Sequence, residues 1–206
     1  MNIIFMRHGE ATDNVRGIIS DKAIYWSVLT ENGVKVVAET TKGLPQKIDK
    51  VYFSPLPRTI QTAHIVRDRF ENLEYIEDDR IKEIQYGKYS GRKNNEDLDN
   101  VRRLQVAGDY QVRFGDYGEN RFDIESRLSD FLLDVYSNND PNDTILIISH
   151  GSITSYMKRI LKLNSPHLNV GKADVFENVD FSHLIKHSEK LKGIANLGAK
   201  NDWIWI

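Results

Sequence analysis

Ile3-Ile4-Phe5-Met6-Arg7-His8-Gly9-Glu10, with Asn14 shortly after, is the stretch whose reading decides the fold. Four apolar residues in a row, closed by a glycine, read as a buried strand over residues 2–6 whose end delivers polar groups to a site. Arg7 offers a planar fork of donors suited to phosphate, and His8 is a nitrogen nucleophile available near neutral pH. Gly9 lets a ligand approach the backbone. The first expectation is that His8 attacks phosphorus, provided that the rest of the chain supplies the other parts.

Two further segments repeat the pattern of a strand ending in polar residues. Val51-Tyr52-Phe53 runs into Ser54-Pro55-Leu56-Pro57-Arg58, and Ile145-Leu146-Ile147-Ile148 runs into Ser149-His150-Gly151. An unbroken apolar strand such as 145–148 is the kind covered on both faces. Helical spacing follows each strand. Thr30 reads as an N-cap before Val34, Val37, Ala38 and Thr41, with Gly43 and Pro45 as the stop. Pro57 opens a helix carrying Ile60, Ala63, Val66 and Phe70. Ser152 reads as the cap of a helix carrying Ile153, Tyr156, Met157, Ile160 and Leu161. Residues 15–29 read as a loop over the site, and 73–84 as a short strand with an irregular approach to Gly87 and Gly91. Residues 94–138 read as helical with a break near Gly108–Gly118, the clearest part being Ile124, Leu128, Phe131, Leu132 and Val135. Ala173–Asn178 and Phe181–Lys186 read as two strands pairing around Val179-Asp180. Strand–helix alternation predicts an α/β fold, a three-layer α/β/α sandwich with a mostly parallel central sheet.

The 206 residues suit one domain over 1–206, with an inserted helical and loop region at about 90–120. An apolar share of 40% and a charged share of 28% describe a globular protein rather than a disordered or membrane one. With 28 basic against 30 acidic residues, no bulk field draws nucleic acid or a membrane surface, so any anion site is built locally. The chain has no cysteine, which excludes disulfides, thiolate metal sites and cysteine nucleophiles. No signal-peptide pattern or membrane-length run is present, and the expected location is cytoplasmic.

In open α/β sheets, ligands sit beyond the carboxyl ends of the strands, so the three polar strand ends can share one crevice. Together the motifs resemble the histidine phosphatase superfamily, the phosphoglycerate-mutase-like proteins. The resemblance rests on Arg7-His8-Gly9-Glu10 with Asn14, on Ser54 to Ala63 with Arg58 and Thr62, on Glu83, Gly87 and Gly91, and on Ser149-His150-Gly151. It implies that His8 becomes a phosphohistidine and that Arg7, Arg58 and His150 hold the phosphoryl oxygens. It implies that Asn14 adds a neutral donor and that Gly9 and Gly151 line the phosphate site. Glu83 would protonate the leaving oxygen and then deprotonate the water, which requires a carboxyl held protonated near neutral pH. No metal and no cofactor are implied, and the expected partner is a small-molecule phosphomonoester.

Several residues depart from the family pattern. Ala11 stands where serine or threonine is usual, Gly118-Glu119-Asn120 where Gly-Glu-Ser is usual, and Ile18, Ile19 and Ser20, followed by Tyr25 and Trp26, where a glutamine-glycine is expected. The short chain and apolar, aromatic loop favour a phosphatase acting on a possibly ring-bearing ester over a cofactor-dependent phosphoglycerate mutase. A non-catalytic phosphoryl- or protein-binding module is the reading of a different class. Elsewhere the plainer readings are preferred: Arg102-Arg103 as a solvated helix face rather than a contact for a second substrate anion, His64 as packed or solvated, and His183 and His187 as neighbours on one face of a strand rather than metal ligands on a helix. Trp203 and Trp205 read as either a cover for the core edge or an association patch.

Overall fold

The structure is a computed structural model that describes residues 1–23 and 27–201, with side chains up to Ala195. Tyr25 and Trp26 of the aromatic loop, and Trp203 and Trp205 of the tail, lie outside the described residues. Five strands form one sheet: β1 (Asn2–Arg7), β2 (Lys50–Phe53), β3 (Glu74–Glu77), β4 (Thr144–Ser149) and β5 (Ala173–Phe176), in the order β3-β2-β4-β1-β5. All neighbours are parallel except β5, which runs antiparallel to β1. The mixed α/β fold expected from the strand–helix alternation is the fold observed.

The helices are α1 (Thr12–Arg16), α2 (Glu31–Gly43), α3 (Pro57–Arg67), α4 (Glu96–Ala107), α5 (Arg121–Ser137), α6 (Gly151–Ile160) and α7 (Ser182–Asn201). Period-two alternation along β1 and β4 decides which helix covers which face. Ile3, Phe5, Ile145 and Ile147 pack in one cluster with Leu128 and Phe131 of α5, Ile153 and Met157 of α6, and Leu184 of α7. Ile4, Met6, Leu146 and Ile148 point the other way and pack with Val37 of α2 and Ala63 and Val66 of α3. Both clusters are buried, so the strands read as continuous apolar runs because each face has its own helical layer.

The expected helix starts hold with one correction. Thr30 caps α2 by accepting from the Gly33 N–H, and Pro57 opens α3. Helix α6 instead begins at Gly151 with His150 at its cap position, and Ser152 sits inside the first turn.

The hairpin expected over 173–186 does not form. Residues 173–176 add to the free edge of β1, where Ile3 faces Phe176 and Met6 faces Ala173. Asp180, read as a turn centre, accepts from the backbone N–H and the hydroxyl of Ser182 at 2.8 Å each and so caps α7. Phe181, Leu184 and Leu191 are the buried residues, at helical spacing, whereas Ile185 is 47% exposed. The 3.6-residue period therefore prevails over a local alternation. His183 and His187 consequently lie on a helix, and His187 Nε2 is 3.0 Å from Glu125 Oε2 on α5.

Candidate active site

Strand register brings the three polar ends together. Arg7 pairs across from Ser149, and Phe53 across from Ile148, so His8, Ser54 and His150 emerge at the same edge of the sheet. The His8 N–H donates to Ser149 O at 3.0 Å, and the Ser54 N–H to Ile148 O at 3.1 Å, which carries the register one residue past the strands.

His8 is buried, and its Nδ1 lies 2.8 Å from Gly9 O. A carbonyl only accepts, so Nδ1 carries the proton and Nε2 keeps its lone pair. Arg58 donates from Nε to that Nε2 at 3.1 Å. The same guanidinium uses Nη2 to reach Ser20 O at 2.8 Å and His150 Nδ1 at 3.1 Å. Arginine has donors alone, so His150 Nδ1 must accept, and its protonated Nε2 donates to Ser54 Oγ at 2.8 Å. Burial and then the Arg58 charge hold both imidazoles well below the ordinary histidine value of 6.5. Both rings are therefore neutral.

Arg7 reaches the same place from the end of β1. Its Nη1 donates to Leu168 O at 2.9 Å and to His167 Nε2 at 3.1 Å, and His167 Nδ1 lies 3.0 Å from Ser155 Oγ. Arg7 Nε and Arg58 Nη1 are buried without a hydrogen-bond partner among the described residues. Asp13 Oδ2 faces Arg58 Nη1 at 3.9 Å, beyond hydrogen-bond reach, so both guanidinium groups keep a donor open to an anion in the cleft.

Glu83 follows the 3₁₀ turn Asp79–Ile81, and its Oε1 accepts from the Ile84 N–H at 2.9 Å. Burial pushes its carboxyl above the usual 4.5, against the downward pull of Arg58 and Arg7. The loop that carries it is fixed on both sides. Glu119 Oε2 accepts from Gln85 N at 2.9 Å, Arg127 pairs with Glu119 at 2.6 Å, and Asp21 accepts from Tyr86 N at 2.8 Å.

His8, Arg7, Arg58, Glu83 and Asn14 line one cleft of about 180 Å³, with Tyr86, Arg102 and Ser152 on its wall. Asn14 caps α1 by accepting from Ala11 N at 2.9 Å. The other proposed residues sit behind the cleft. His150 has no exposed surface and braces Arg58. The Gly9 N–H donates to Thr62 Oγ1 at 3.2 Å. Gly151 matters for approach: a Cβ there would meet Arg7 Cζ at 2.9 Å and His167 Nε2 at 2.8 Å.

Sequence reasoning missed His167, whose only signal was its place in a polar turn after Pro166. It also read Arg102 as solvated, whereas its guanidinium lies 5.4 Å from the Tyr86 ring centroid and lines the cleft. A family model described as the histidine phosphatase superfamily (branch 1) matches residues 3–190. The chain belongs to the histidine phosphatase superfamily.

Among its relatives is a 2,3-bisphosphoglycerate-dependent phosphoglycerate mutase of Thermoplasma acidophilum, 43% identical over 108 residues, or 51% of this chain and 52% of that one. That match spans about half the length of the mutase. Phosphoserine phosphatase 1 of Hydrogenobacter thermophilus is 30% identical over 154 residues, covering 73% of this chain and 71% of the relative. A mycobacterial glucosyl-3-phosphoglycerate phosphatase, solved with VO3, shares the fold at a TM-score of 0.71 and 18% identity, over 84% of this chain and 90% of that one. This superfamily thus includes both phosphatases and mutases similar to the chain.

Proposed function

We propose that the chain hydrolyses small phosphomonoesters through a phosphohistidine on Nε2 of His8. The observation that carries the reading is the His8 tautomer. With Nδ1–H committed to Gly9 O, the Nε2 lone pair is held against an arginine that cannot protonate it at neutral pH. As the phosphoryl group arrives, the Arg58 Nε–H shifts from Nε2 to a phosphoryl oxygen. Arg7 Nε and Arg58 Nη1 are the unpaired donors suited to the remaining oxygens.

In the first half, Nε2 forms a bond to phosphorus, the ester P–O bond breaks, and Glu83 gives its proton to the leaving oxygen. In the second, the Glu83 carboxylate takes a proton from water. The water oxygen attacks phosphorus, the P–N bond breaks, and its electron pair returns to Nε2. Arg7 and Arg58 supply the positive charge, so the proposed reaction is metal-independent. His150 and Ser54 hold Arg58 in place.

The second reading is phosphoglycerate mutation, favoured by the 43% identity to the Thermoplasma mutase. One assay separates the two: 3-phosphoglycerate is supplied with a bisphosphate primer while phosphate release and isomerisation are followed together. Hydrolysis predicts phosphate release outrunning isomerisation, and the reverse order would replace phosphatase by mutase. Phosphate bound without turnover of any ester would indicate a non-catalytic binding module.

A further inference from the structure

A second cavity opens from the wall of the catalytic cleft. It measures about 270 Å³ against about 180 Å³ for the cleft itself, and the two share Tyr86, Arg102 and Ser152. Its floor and sides are largely apolar, with Ile84, Val106, Phe114 and Tyr156 contributing. The Tyr86 and Phe114 rings meet at 4.8 Å between centroids with a 57° tilt, forming an aromatic corner where the cavities join. Tyr86 OH lies 3.3 Å from Ser152 Oγ, and burial holds the phenol well above its usual value, so it stays a neutral hydroxyl at this junction.

The cations that border the cavity each have a charged or aromatic neighbour of their own. Arg102 bonds Asn94 Oδ1 at 2.5 Å and Asp99 Oδ1 at 3.1 Å, and Arg159 lies over the Tyr156 ring at 4.3 Å and 4.0 Å from Glu125. His167 spends its two ring nitrogens on Arg7 and Ser155. An apolar ring would gain burial and aromatic contact.

We propose that this cavity holds the leaving group, and that it selects phosphomonoesters whose alcohol part is an apolar, ring-sized group. The inference rests on the phosphomonoester reading above and adds the class of alcohol. Occupancy of both cavities puts the ester oxygen at the Tyr86–Ser152 junction. Val106 sets the outer rim: it lies on α4, 66% exposed, outside the proposed catalytic group. A larger side chain there narrows the cavity without touching the core.

Calorimetric binding of benzylphosphonate and methylphosphonate tests this without requiring turnover. Benzylphosphonate is expected to bind about tenfold or more tightly, because its ring leaves water for an apolar wall. Val106→Trp should remove that advantage and leave methylphosphonate affinity unchanged. Equal affinities in the native chain, or an advantage that survives Val106→Trp, would overturn the assignment. Hydrolysis of phenyl phosphate, followed in parallel, judges the phosphatase reading separately. Strong selective binding without hydrolysis would keep the cavity and sink the enzyme, and failure to bind either phosphonate would overturn both.

Discussion

Arg58 Nε and His8 Nε2 are 3.1 Å apart, and the geometry fixes which of the two holds the proton. The guanidinium donates, so the imidazole presents a lone pair, and its other nitrogen is tied to the Gly9 carbonyl. The same arginine fixes the tautomer of His150. One side chain thus sets the state of both buried histidines.

Lysine cannot reproduce this. Arg58→Lys loses the planar fork that serves His8, His150 and Ser20 O together. The expected loss in kcat/KM is about a hundredfold or more, as for removal of a preorganised transition-state donor. Steady-state kinetics on an aryl phosphate checks it, and a loss under threefold would refute the arrangement.

Glu83 predicts an alkaline limb in the activity profile. A general acid must be protonated, and burial raises this carboxyl above 4.5, so activity falls as pH rises through that raised value. The acid limb comes from His8, which loses its lone pair as pH falls through a value well below 6.5. Glu83→Gln should abolish the alkaline limb and slow alkyl phosphates far more than p-nitrophenyl phosphate, whose leaving group needs no proton. Equal losses in kcat/KM, which reports phosphorylation and not the later attack of water, would remove Glu83 from the acid role.

His167 is expected to act through Arg7 as a positioning residue. Burial and the neighbouring Arg7 charge lower its pKa, which keeps Nε2 available as an acceptor for Arg7 Nη1. His167→Ala should raise KM and the inhibition constant of inorganic phosphate by roughly three- to tenfold, the scale of one lost charge-assisted hydrogen bond. His167→Gln, which restores an acceptor, should recover most of the loss. Equal defects in the two variants would mean that the ring only fills space.

Stability should fall on the acid side. His8 and His150 are held well below 6.5 when folded, so below pH 6.5 the unfolded chain binds protons that the folded chain refuses. The stability is complete above the unfolded value and is lost as pH drops below it. Each histidine contributes a slope of about 1.4 kcal/mol per pH unit until its folded value is reached. Urea titrations between pH 7.5 and 5 should show this fall, and His8→Gln should lessen the slope by one histidine's share. An unchanged slope would contradict the neutral assignment of His8.

Gly33 carries a packing prediction. A Cβ there would lie 2.1 Å from Glu10 O and 2.9 Å from Glu10 N, so the first turn of α2 rests directly on the backbone after His8. Gly33→Ala should cost about 1–3 kcal/mol and lower the melting temperature. A melting point equal to that of the native chain would show that α2 can retreat.

Much of this was legible in the sequence because strand ends and glycines are local signals. The apolar run before Arg7 placed β1, the run before Ser149 placed its neighbour β4, and the run before Ser54 placed β2 on the far side of β4. Gly33, an unfavourable residue inside a helix, proves to be required by the approach of Glu10. What failed depended on partners distant in sequence. Residues 173–176 pair with β1 rather than with 181–186, because an unpaired sheet edge was available. The approach of His167 to Arg7 joins residues 160 positions apart and leaves no periodic trace. The cavity beside Tyr86 is built from five separate stretches of chain, so composition alone could suggest an apolar substrate only through the 15–29 loop.

Trapping the intermediate tests the phosphohistidine on His8 itself. The enzyme is mixed with excess aryl phosphate, quenched within the first turnover under alkaline conditions, and read by intact mass and phosphorus NMR. One phosphoryl group is expected, bound to His8 through Nε2, and none on His8→Ala. Turnover with no phosphorylated chain, or a phosphoryl group on any other residue, would contradict it.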